Sequence, residues 1–165
     1  KKATLGKVHL TLDQLESNLW IVWTCLVRPA SFVLSDQGRM LRELESAVIE
    51  RMHAIKEIGH EVYRLLAAGD VDRYGELLHH HWTQKRKLAS KMTDAVLDEH
   101  YDAARAAGAI GGKLMGAGGG GFFMLYARPA DKRRVIDAMA ARGLRQLRFR
   151  FDVDGARIVA NLHRS

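Results

Sequence analysis

The sequence predicts an α+β fold, a two-layer sandwich in which four to five helices pack against a mainly antiparallel sheet of four to five strands. Through the middle of the chain, apolar residues recur at three- and four-residue steps, as on one face of a helix. Shorter segments near both ends are rich in β-branched and aromatic residues or alternate apolar with polar ones, as strands do. No repeat or linker divides the 165 residues, so we expect one domain over residues 1–165.

The N-terminal elements are short. Alternation of apolar and polar residues predicts a strand over Lys7–Leu12, and an aspartate suited to N-capping predicts a helix over residues 13–18. The apolar segment Leu19–Thr24 predicts a buried strand. A turn is expected at Arg28–Ala30, because the proline there restricts both its own backbone and that of its predecessor.

Three helices are predicted next. The first extends from about Arg39 to Ala68, with Gly69 as its C-terminal cap. Asp70 is the expected N-cap of the second, and Thr93 is the expected N-cap of the third. Each carries one apolar face, and the short links between the helices predict antiparallel packing. The residues on these faces are Leu41, Leu44, Val48, Met52, Ile55, Ile58, Val62 and Leu65 in the first helix, Val71, Tyr74, Leu78, Trp82, Lys85 and Leu88 in the second, and Leu97, Tyr101 and Ala104 in the third.

The last part of the chain begins with a glycine-rich segment, Gly108–Gly121, which we expect to be a loop between the third helix and the apolar strand Phe122–Tyr126. Another helix is expected from Pro129, ended by Gly143. The final elements are a half-buried strand, a hairpin turn and a returning strand, marked by Leu147, Phe149 and Phe151, by Asp154-Gly155, and by Ile158 and Ala160 respectively.

Composition limits the possible classes of protein. The chain is 47% hydrophobic, enough for a core, yet no segment approaches the roughly 18 apolar residues of a membrane helix, and we see no signal peptide. The single Cys25 cannot form an internal disulfide, which fits a reducing compartment. We therefore expect a cytoplasmic protein without a membrane partner, in which Cys25 is a small core residue rather than a nucleophile.

The net charge of +7 raises the question of nucleic-acid binding. In the middle of the chain, basic residues are interleaved with acidic ones, which is typical of solvated helix faces. We expect no nucleic acid, because RNA-binding sheets present aromatic residues on an open face and Phe149 and Phe151 are expected to point inward. A distinctly basic zone, which suits a phosphorylated metabolite as well as an RNA, comprises Lys132, Arg133, Arg134, Arg142, Arg145, Arg148 and Arg150.

The most informative segment is Gly111–Gly121, in which seven of eleven residues are glycine. Glycines cost conformational entropy when they become ordered, so a run of them between structured elements indicates backbone with positive φ that lies close to a neighbour. That neighbour is either a ligand or another part of the protein. Since the segment is expected to follow a helix C-terminus, where the dipole repels anions, any phosphate must be bound by loop N–H groups, with Lys113 as a possible aid.

Other sites are less consistent with the sequence. The spacing of Gly116, Gly118 and Gly121 matches a dinucleotide fingerprint, but the expected order of helix, loop and strand does not, and a Walker A motif lacks its first glycine and its Ser/Thr. The run His79–His81 cannot form one metal site, because adjacent helical residues point about 100° apart. We expect no metal ligands in this chain.

Several segments resemble the GHMP kinases, which include galactokinase, homoserine kinase and mevalonate kinase. The glycine-rich segment is similar to the third conserved motif of the family, and the whole pattern is most similar to the branch of the D-glycero-D-manno-heptose 7-phosphate kinases and fucose kinases. Cys25 and Pro29 depart from that branch, which usually has glycine and a small polar residue there, so acceptor specificity is open. The matching segments are Gly108–Phe122, Trp23–Ala30, Tyr74–His79 with Trp82 and Lys85, and Phe149–Phe151 with Gly155–Ile158.

The resemblance implies a GHMP C-terminal domain, with a ferredoxin-like core and a helical insertion, that belongs to an ATP- and Mg2+-dependent kinase of a sugar or sugar phosphate. It places the nucleotide beside the main chain of Gly116, Gly118, Gly119 and Gly120. It also makes Arg28 and Lys113 candidate substrate-binding residues, although an ion pair for Arg28 and a bracing role for Lys113 stay open.

The family's ATP-binding loop, Pro-x-x-x-Gly-Leu-x-Ser-Ser-Ala, and the N-terminal lobe that carries it have no counterpart in this chain. We expect no catalytic residue here, an inactive isolated chain, and a partner in the missing lobe or a second copy as a homodimer. The alternatives are a stand-alone module that binds RNA or an acidic metabolite, and a non-catalytic remnant lobe.

Overall fold

The computed structural model describes residues 12–27, 29–42, 46–87, 95–152 and 155. Over these residues the α+β prediction is confirmed, with six helices and four strands. In chain order the elements are α1 Leu12–Asn18, β1 Leu19–Trp23, α2 Ala30–Arg42, α3 Ser46–Ala67, α4 Asp72–Lys85, α5 Ala95–Ala106, β2 Gly111–Leu114, β3 Phe122–Tyr126, α6 Pro129–Ala140 and β4 Arg145–Leu147.

The four strands form one antiparallel sheet in the order β2-β3-β1-β4. The apolar strands β1 and β3 are central, with Trp20 opposite Leu125 and Val22 opposite Phe123. The outer strand β4 is exposed along its length. This strand order agrees with the composition of the strands, because the two most apolar strands are the ones that have a neighbour on both sides.

The main core lies on the sheet face of Trp20, Val22, Phe123 and Leu125. It is rich in aromatic residues, and Trp82 lies 5.6 Å from Phe123 in an edge-to-face arrangement between ring centroids. Helices α4, α5 and α6 cover this face with Trp82, Leu97, Tyr101, Ala104, Val135 and Met139.

A second cluster lies where the other sheet face meets the α3–α4 junction, around Tyr126, Leu19 and Leu78. Tyr126 accepts a 2.8 Å hydrogen bond from Asn18 Nδ2, which satisfies its buried oxygen. Among the described residues, no helix is long and apolar enough to cross a membrane.

The predicted helix over residues 39–68 is wrong in its bounds, because α2 and α3 divide this region and α2 begins at Ala30. The residue before Ala30 is Pro29, and proline is well suited to the start of a helix, so the segment expected to be a turn also begins α2. The predicted loop over residues 108–121 is also corrected, since its first part contains β2.

Two further expectations fail near the C-terminus. Strand β4 ends at Leu147 rather than continuing to residue 151, and Phe151 is 39% exposed instead of pointing inward. Phe149 is partly buried against the second cluster, as expected. The expectations for residues 7–11, Thr93, Asp154, Ile158 and Ala160 lie outside the described residues, whereas Leu12 belongs to α1 rather than to a strand.

Candidate functional site

Residues Met115–Gly121, here called the glycine turn, join β2 to β3. The turn closes with a 2.8 Å hydrogen bond from the Met115 N–H to the carbonyl of Phe122. It is an ordered segment of backbone whose glycines adopt positive φ throughout. The φ values are 74° at Gly116, 110° at Gly118, 75° at Gly119, 155° at Gly120 and 93° at Gly121.

The end of the glycine turn is fixed to the segment after β1. The N–H and the hydroxyl of Thr24 both donate to the carbonyl of Gly121, at 2.9 and 2.8 Å, and the Gly121 N–H donates to the carbonyl of Leu26 at 2.8 Å. A Cβ on Gly120 would lie 2.6 Å from the carbonyl oxygen of Leu26. Glycine is therefore required at position 120 by a protein neighbour, without any ligand.

The first two glycines of the motif are explained by packing. A Cβ on Gly111 would lie 1.9 Å from the carbonyl oxygen of Gly75, so a side chain there would force α4 away from β2. A Cβ on Gly112 would lie 2.6 Å from the Leu125 side chain. Both residues are buried, and their role is to allow close contact between elements.

Gly116 is the most open of the four glycines predicted to approach a nucleotide. It is exposed, and an added Cβ would meet nothing within 4 Å. Gly118 and Gly119 are buried, and Gly120 contacts Leu26. The four predicted residues thus differ, and direct access from solvent is clearest at Gly116.

A shallow apolar groove of about 240 Å³ lies beside the glycine turn. Val27 is 78% exposed and Met115 is 39% exposed, so a large apolar surface is presented next to the turn. The residues that line this groove are Trp23, Leu26, Val27, Ala30, Met115, Ala117, Gly118, Gly120 and Gly121.

Three basic side chains, His81, Lys85 and Lys113, lie near one another beside Gly116 and are here called the basic cluster. The ammonium group of Lys85 donates a 2.6 Å hydrogen bond to the carbonyl of Gly116. Desolvation and the nearby charge of Lys113 lower the pKa of Lys85 to about 8. Desolvation also lowers the pKa of Lys113.

His81 shares this environment. Burial, with added repulsion from Lys113 and Lys85, lowers the pKa of His81 to about 4. The imidazole is therefore neutral near pH 7, and its buried Nδ1 has no hydrogen-bond partner among the described residues. The surroundings of the basic cluster therefore favour the neutral form of its three side chains.

The sequence predicted Lys113 as a candidate substrate-binding residue. It did not predict that His81 and Lys85 would lie beside Lys113. His81 and Lys85 are four residues apart on α4, a spacing that places them on one helix face. This spacing is visible in the sequence, but their proximity to Lys113 depends on the packing of α4 against β2. The other predicted basic residue, Arg28, lies outside the described residues.

The expected repulsion of phosphate by a preceding helix is a wrong inference. Helix α5 ends at Ala106, and β2 intervenes between it and the glycine turn. A β-strand has only a small net dipole, so the backbone before the turn places no helix C-terminus there. The correction also changes the local order to helix, strand, turn and strand, which still lacks the helix that must follow a dinucleotide-binding turn.

Cys25 is not a core residue, contrary to the prediction. It is exposed and has φ of +60°, a left-handed conformation in the turn that follows β1. The strand ends at Trp23, so the buried pattern does not continue to Cys25. Glycine is favoured at a position with positive φ because it has no Cβ, and this is a physical reason for glycine at this position in the branch that the sequence resembles.

The histidine run does not form a metal site in the described part of the chain, where no group of three or more His, Cys, Asp or Glu residues could hold an ion. His79 Nδ1 instead lies 2.8 Å from the hydroxyl of Tyr101. In the basic zone, Arg133 and Arg134 pair with Asp137 and Asp131, and Lys132 donates to the carbonyl of Ser17.

Comparison with known proteins gives consistent matches. A family described as GHMP kinases C terminal matches residues 62–144. Over 127 residues, the chain is 28% identical to the D-glycero-alpha-D-manno-heptose 7-phosphate kinase of Campylobacter jejuni, and the match covers 77% of this chain and 37% of that protein.

Solved structures share the fold. The mevalonate kinase of L. major in complex with R-mevalonate has a TM-score of 0.66 at 22% identity, over 74% of this chain and 37% of that one. A D-glycero-D-manno-heptose 1-phosphate kinase from Bacteroides thetaiotaomicron has a TM-score of 0.56 at 26% identity, over 85% of this chain and 34% of that one. The chain thus spans little more than a third of the length of these relatives.

Proposed function

The chain belongs to the GHMP kinases, as a C-terminal domain of that family, and from this premise we propose that it is one lobe of an ATP-dependent sugar kinase whose acceptor is a heptose 7-phosphate. Residues 1–165 form this lobe in the proposal. The lobe that carries the ATP-binding loop is its partner, and the reaction transfers the γ-phosphoryl group to a sugar hydroxyl.

The observation that carries the proposal is the ordered glycine turn with an exposed Gly116 beside two lysines. Phosphoryl transfer is catalysed mainly by positioning and by neutralising charge on the phosphoryl oxygens. Rigid main chain without side chains allows close approach of the transferred phosphoryl group, and the ammonium groups supply charge opposite to that of a phosphorylated acceptor. The turn and the basic cluster together offer both.

The residues at the turn suit ATP phosphates better than they suit Mg2+. We propose that Gly116, Gly118, Gly119 and Gly120 line the phosphate side of the cleft and that Arg28 and Lys113 bind the acceptor. No carboxylate lines the apolar groove among the described residues, so they supply no ligand for Mg2+. In this proposal ATP supplies the transferred phosphoryl group, and Mg2+ would be held by the phosphates and by the other lobe.

The apolar groove supports a two-lobed arrangement. Val27 and Met115 both line this groove and are 78% and 39% exposed, and exposed apolar side chains in one region are typical of a surface that another part of a protein covers. We propose that the N-terminal lobe docks at this groove, so that its ATP-binding loop faces the glycine turn. A homodimer through the same surface stays a prediction for the chain by itself.

The acceptor is proposed from the similarity to the heptose 7-phosphate kinase of C. jejuni. The direct test is phosphate transfer from radiolabelled ATP, measured for this chain together with any segment that precedes it in its natural reading frame. We expect D-glycero-D-manno-heptose 7-phosphate to be phosphorylated faster than fucose or mevalonate. A preparation that phosphorylates none of the three would contradict the kinase proposal, and a preference for fucose or mevalonate would contradict the acceptor.

A matched pair of variants tests the glycine turn in the same assay. Gly116 and Gly69 both have positive φ, 74° and 78°, and both have open space where a Cβ would lie. Changing either to alanine therefore costs similar stability, whereas only Gly116→Ala is expected to reduce phosphate transfer. If the two variants transfer phosphate equally fast, Gly116 is not part of the site.

A further inference from the structure

We propose that the basic cluster of His81, Lys85 and Lys113 is a subsite for the phosphate group that the acceptor already carries, next to Gly116. The inference rests on the proposed function, because a sugar phosphate is the ligand that needs such a subsite. It adds two residues, His81 and Lys85, and a defined chemistry, a phosphate monoester. The alternative source of the same chemistry is a phosphate of the nucleotide.

The geometry of the subsite comes from two elements that pack closely. His81 and Lys85 lie on one face of α4, and Lys113 lies on β2, against which α4 is packed at Gly75 and Gly111. The hydrogen bond from Lys85 to the Gly116 carbonyl holds its ammonium group at the start of the glycine turn. A phosphate there would contact an ammonium group, that of Lys85, which a hydrogen bond already holds in place.

The two lysines of the basic cluster have no acidic partner in the part of the chain that the structure describes. Within the described residues, neither Lys85 nor Lys113 forms an ion pair, whereas the next residue after Lys85, Arg86, pairs with Asp98 at 3.3 Å. Both lysines are partly buried. Two ammonium groups that repel each other in a partly desolvated place are unfavourable unless an anion compensates them.

On the side of α3, the described residues that line the neighbouring cavity include no acidic group. A cavity of about 310 Å³ between α3 and α4 has Lys113 and His81 in its lining. Its other lining side chains are apolar except for Tyr74, whose pKa burial raises to about 12, so that it stays neutral. The lining is completed by Ile55, Ile58, Gly59, Val62, Leu77 and Leu78.

A phosphate monoester fits these features better than a carboxylate. It carries about two negative charges near neutral pH, which match two lysines, and its oxygens accept several charge-assisted hydrogen bonds. The neutral His81, with an unpaired buried nitrogen, adds a further polar contact. The expected consequence of binding is a rise in the pKa of Lys85 from about 8 towards its ordinary value.

The test is a titration of this chain, labelled with 13C at lysine Cε, followed by NMR with four probes: inorganic phosphate, glucose 6-phosphate, glucose and AMP-PNP. We expect glucose 6-phosphate and inorganic phosphate, but not glucose, to raise the pKa of Lys85 by about one unit. Lys85→Gln and Lys113→Gln should each weaken phosphate binding roughly tenfold, since each removes a charge-assisted hydrogen bond.

The matched control is Arg133→Gln, which removes the same charge from α6 and breaks only an exposed pair with Asp137. A loss of binding equal to that of Lys85→Gln would show a general charge effect and would overturn the subsite. The subsite would also be overturned if none of the four probes changed the pKa of Lys85. A response to AMP-PNP alone would overturn the acceptor assignment and give the cluster to the nucleotide.

Failure of the subsite and failure of the proposed function have different signatures. If Lys85→Gln leaves the KM for heptose 7-phosphate unchanged in an active kinase, the kinase proposal stands and the subsite is wrong. If phosphate binds as expected but no acceptor is phosphorylated, the subsite stands and the kinase proposal is wrong. Lys85→Arg keeps the charge and should recover most of the binding lost in Lys85→Gln.

Discussion

At the scale of single residues, the glycines of the motif have different reasons to be glycine. Gly120 faces the Leu26 carbonyl and Gly111 faces the Gly75 carbonyl, whereas Gly116 faces open space. An open position leaves room for a ligand to approach the main chain directly from solvent. The motif therefore combines packing requirements with a surface that a phosphate can reach.

Gly120→Ala is expected to destabilise the fold by about 2 kcal/mol or more, because the new Cβ would overlap the Leu26 carbonyl oxygen at 2.6 Å. Gly69→Ala is the control, with positive φ and nothing within 4 Å, and should cost about 1 kcal/mol from backbone strain alone. Urea unfolding measures both. If the two variants lose the same stability, the contact with Leu26 is not the reason for glycine at position 120.

The lowered pKa of His81 makes stability depend on pH. The unfolded chain takes up a proton near pH 6.5, while the folded His81 resists protonation until about pH 4, so stability falls as the pH drops through this range. Between pH 7 and pH 5 we expect a loss on the order of 1 kcal/mol, after allowing for screening by solvent, that His81→Gln does not show.

Exposed His60 on α3 is the matched control for this experiment. The measurement is urea unfolding of the parent chain, His81→Gln and His60→Gln at both pH values. A parent chain whose loss of stability equals that of His81→Gln would mean that the surroundings of His81 do not resist its protonation.

At the scale of elements, the crossing of α4 and β2 determines the site. The helix approaches the strand at two glycines, Gly75 and Gly111, and this contact brings His81 and Lys85 to Lys113. A larger residue at either glycine would separate the two elements, and the basic cluster would open with them.

Gly111→Ala should therefore lower stability by about 2–3 kcal/mol, since its Cβ would lie 1.9 Å from the Gly75 carbonyl oxygen. Gly59→Ala is the opposite case: Gly59 lies within α3 with nothing within 4 Å, and alanine should stabilise the helix by about 0.5–1 kcal/mol. Thermal unfolding of the two variants tests the difference. An unchanged melting temperature for Gly111→Ala would show that α4 can move without loss.

At the scale of the whole molecule, the proposed function makes this chain one side of a cleft. The glycine turn, the apolar groove and the basic cluster lie side by side, and the groove leaves apolar side chains exposed. Chemistry at such a surface requires a second body to exclude water and to hold the nucleotide. In the proposed kinase that body is the N-terminal lobe.

The isolated 165-residue chain is accordingly expected to bind ATP weakly, with no dissociation constant in the micromolar range. Calorimetry with ATP measures this directly, and the same titration with any preceding segment of the reading frame attached should show tighter binding. Micromolar affinity of the isolated chain would contradict a division of the ATP site between two lobes.

Much of the architecture was accessible from local patterns. The apolar runs predicted β1 and β3, and the helical periodicity predicted the helices in the middle of the chain. Pro29 predicted a boundary, but not that α2 begins directly after it. The glycine-rich segment was correctly expected to be ordered against a neighbour. These features could be predicted because backbone preference and the spacing of apolar residues can both be seen within a few neighbouring residues.

The sequence by itself determined the fold class, the family resemblance and the place of the ordered glycines. Tertiary structure alone decided which glycines contact protein, that Cys25 is exposed with positive φ, and that Lys85 meets Lys113. The physical reason is that a residue's own periodicity reports which face is apolar, but not which distant element covers it. Lys85 and Lys113 are neighbours only because α4 and β2 can touch where neither has a side chain.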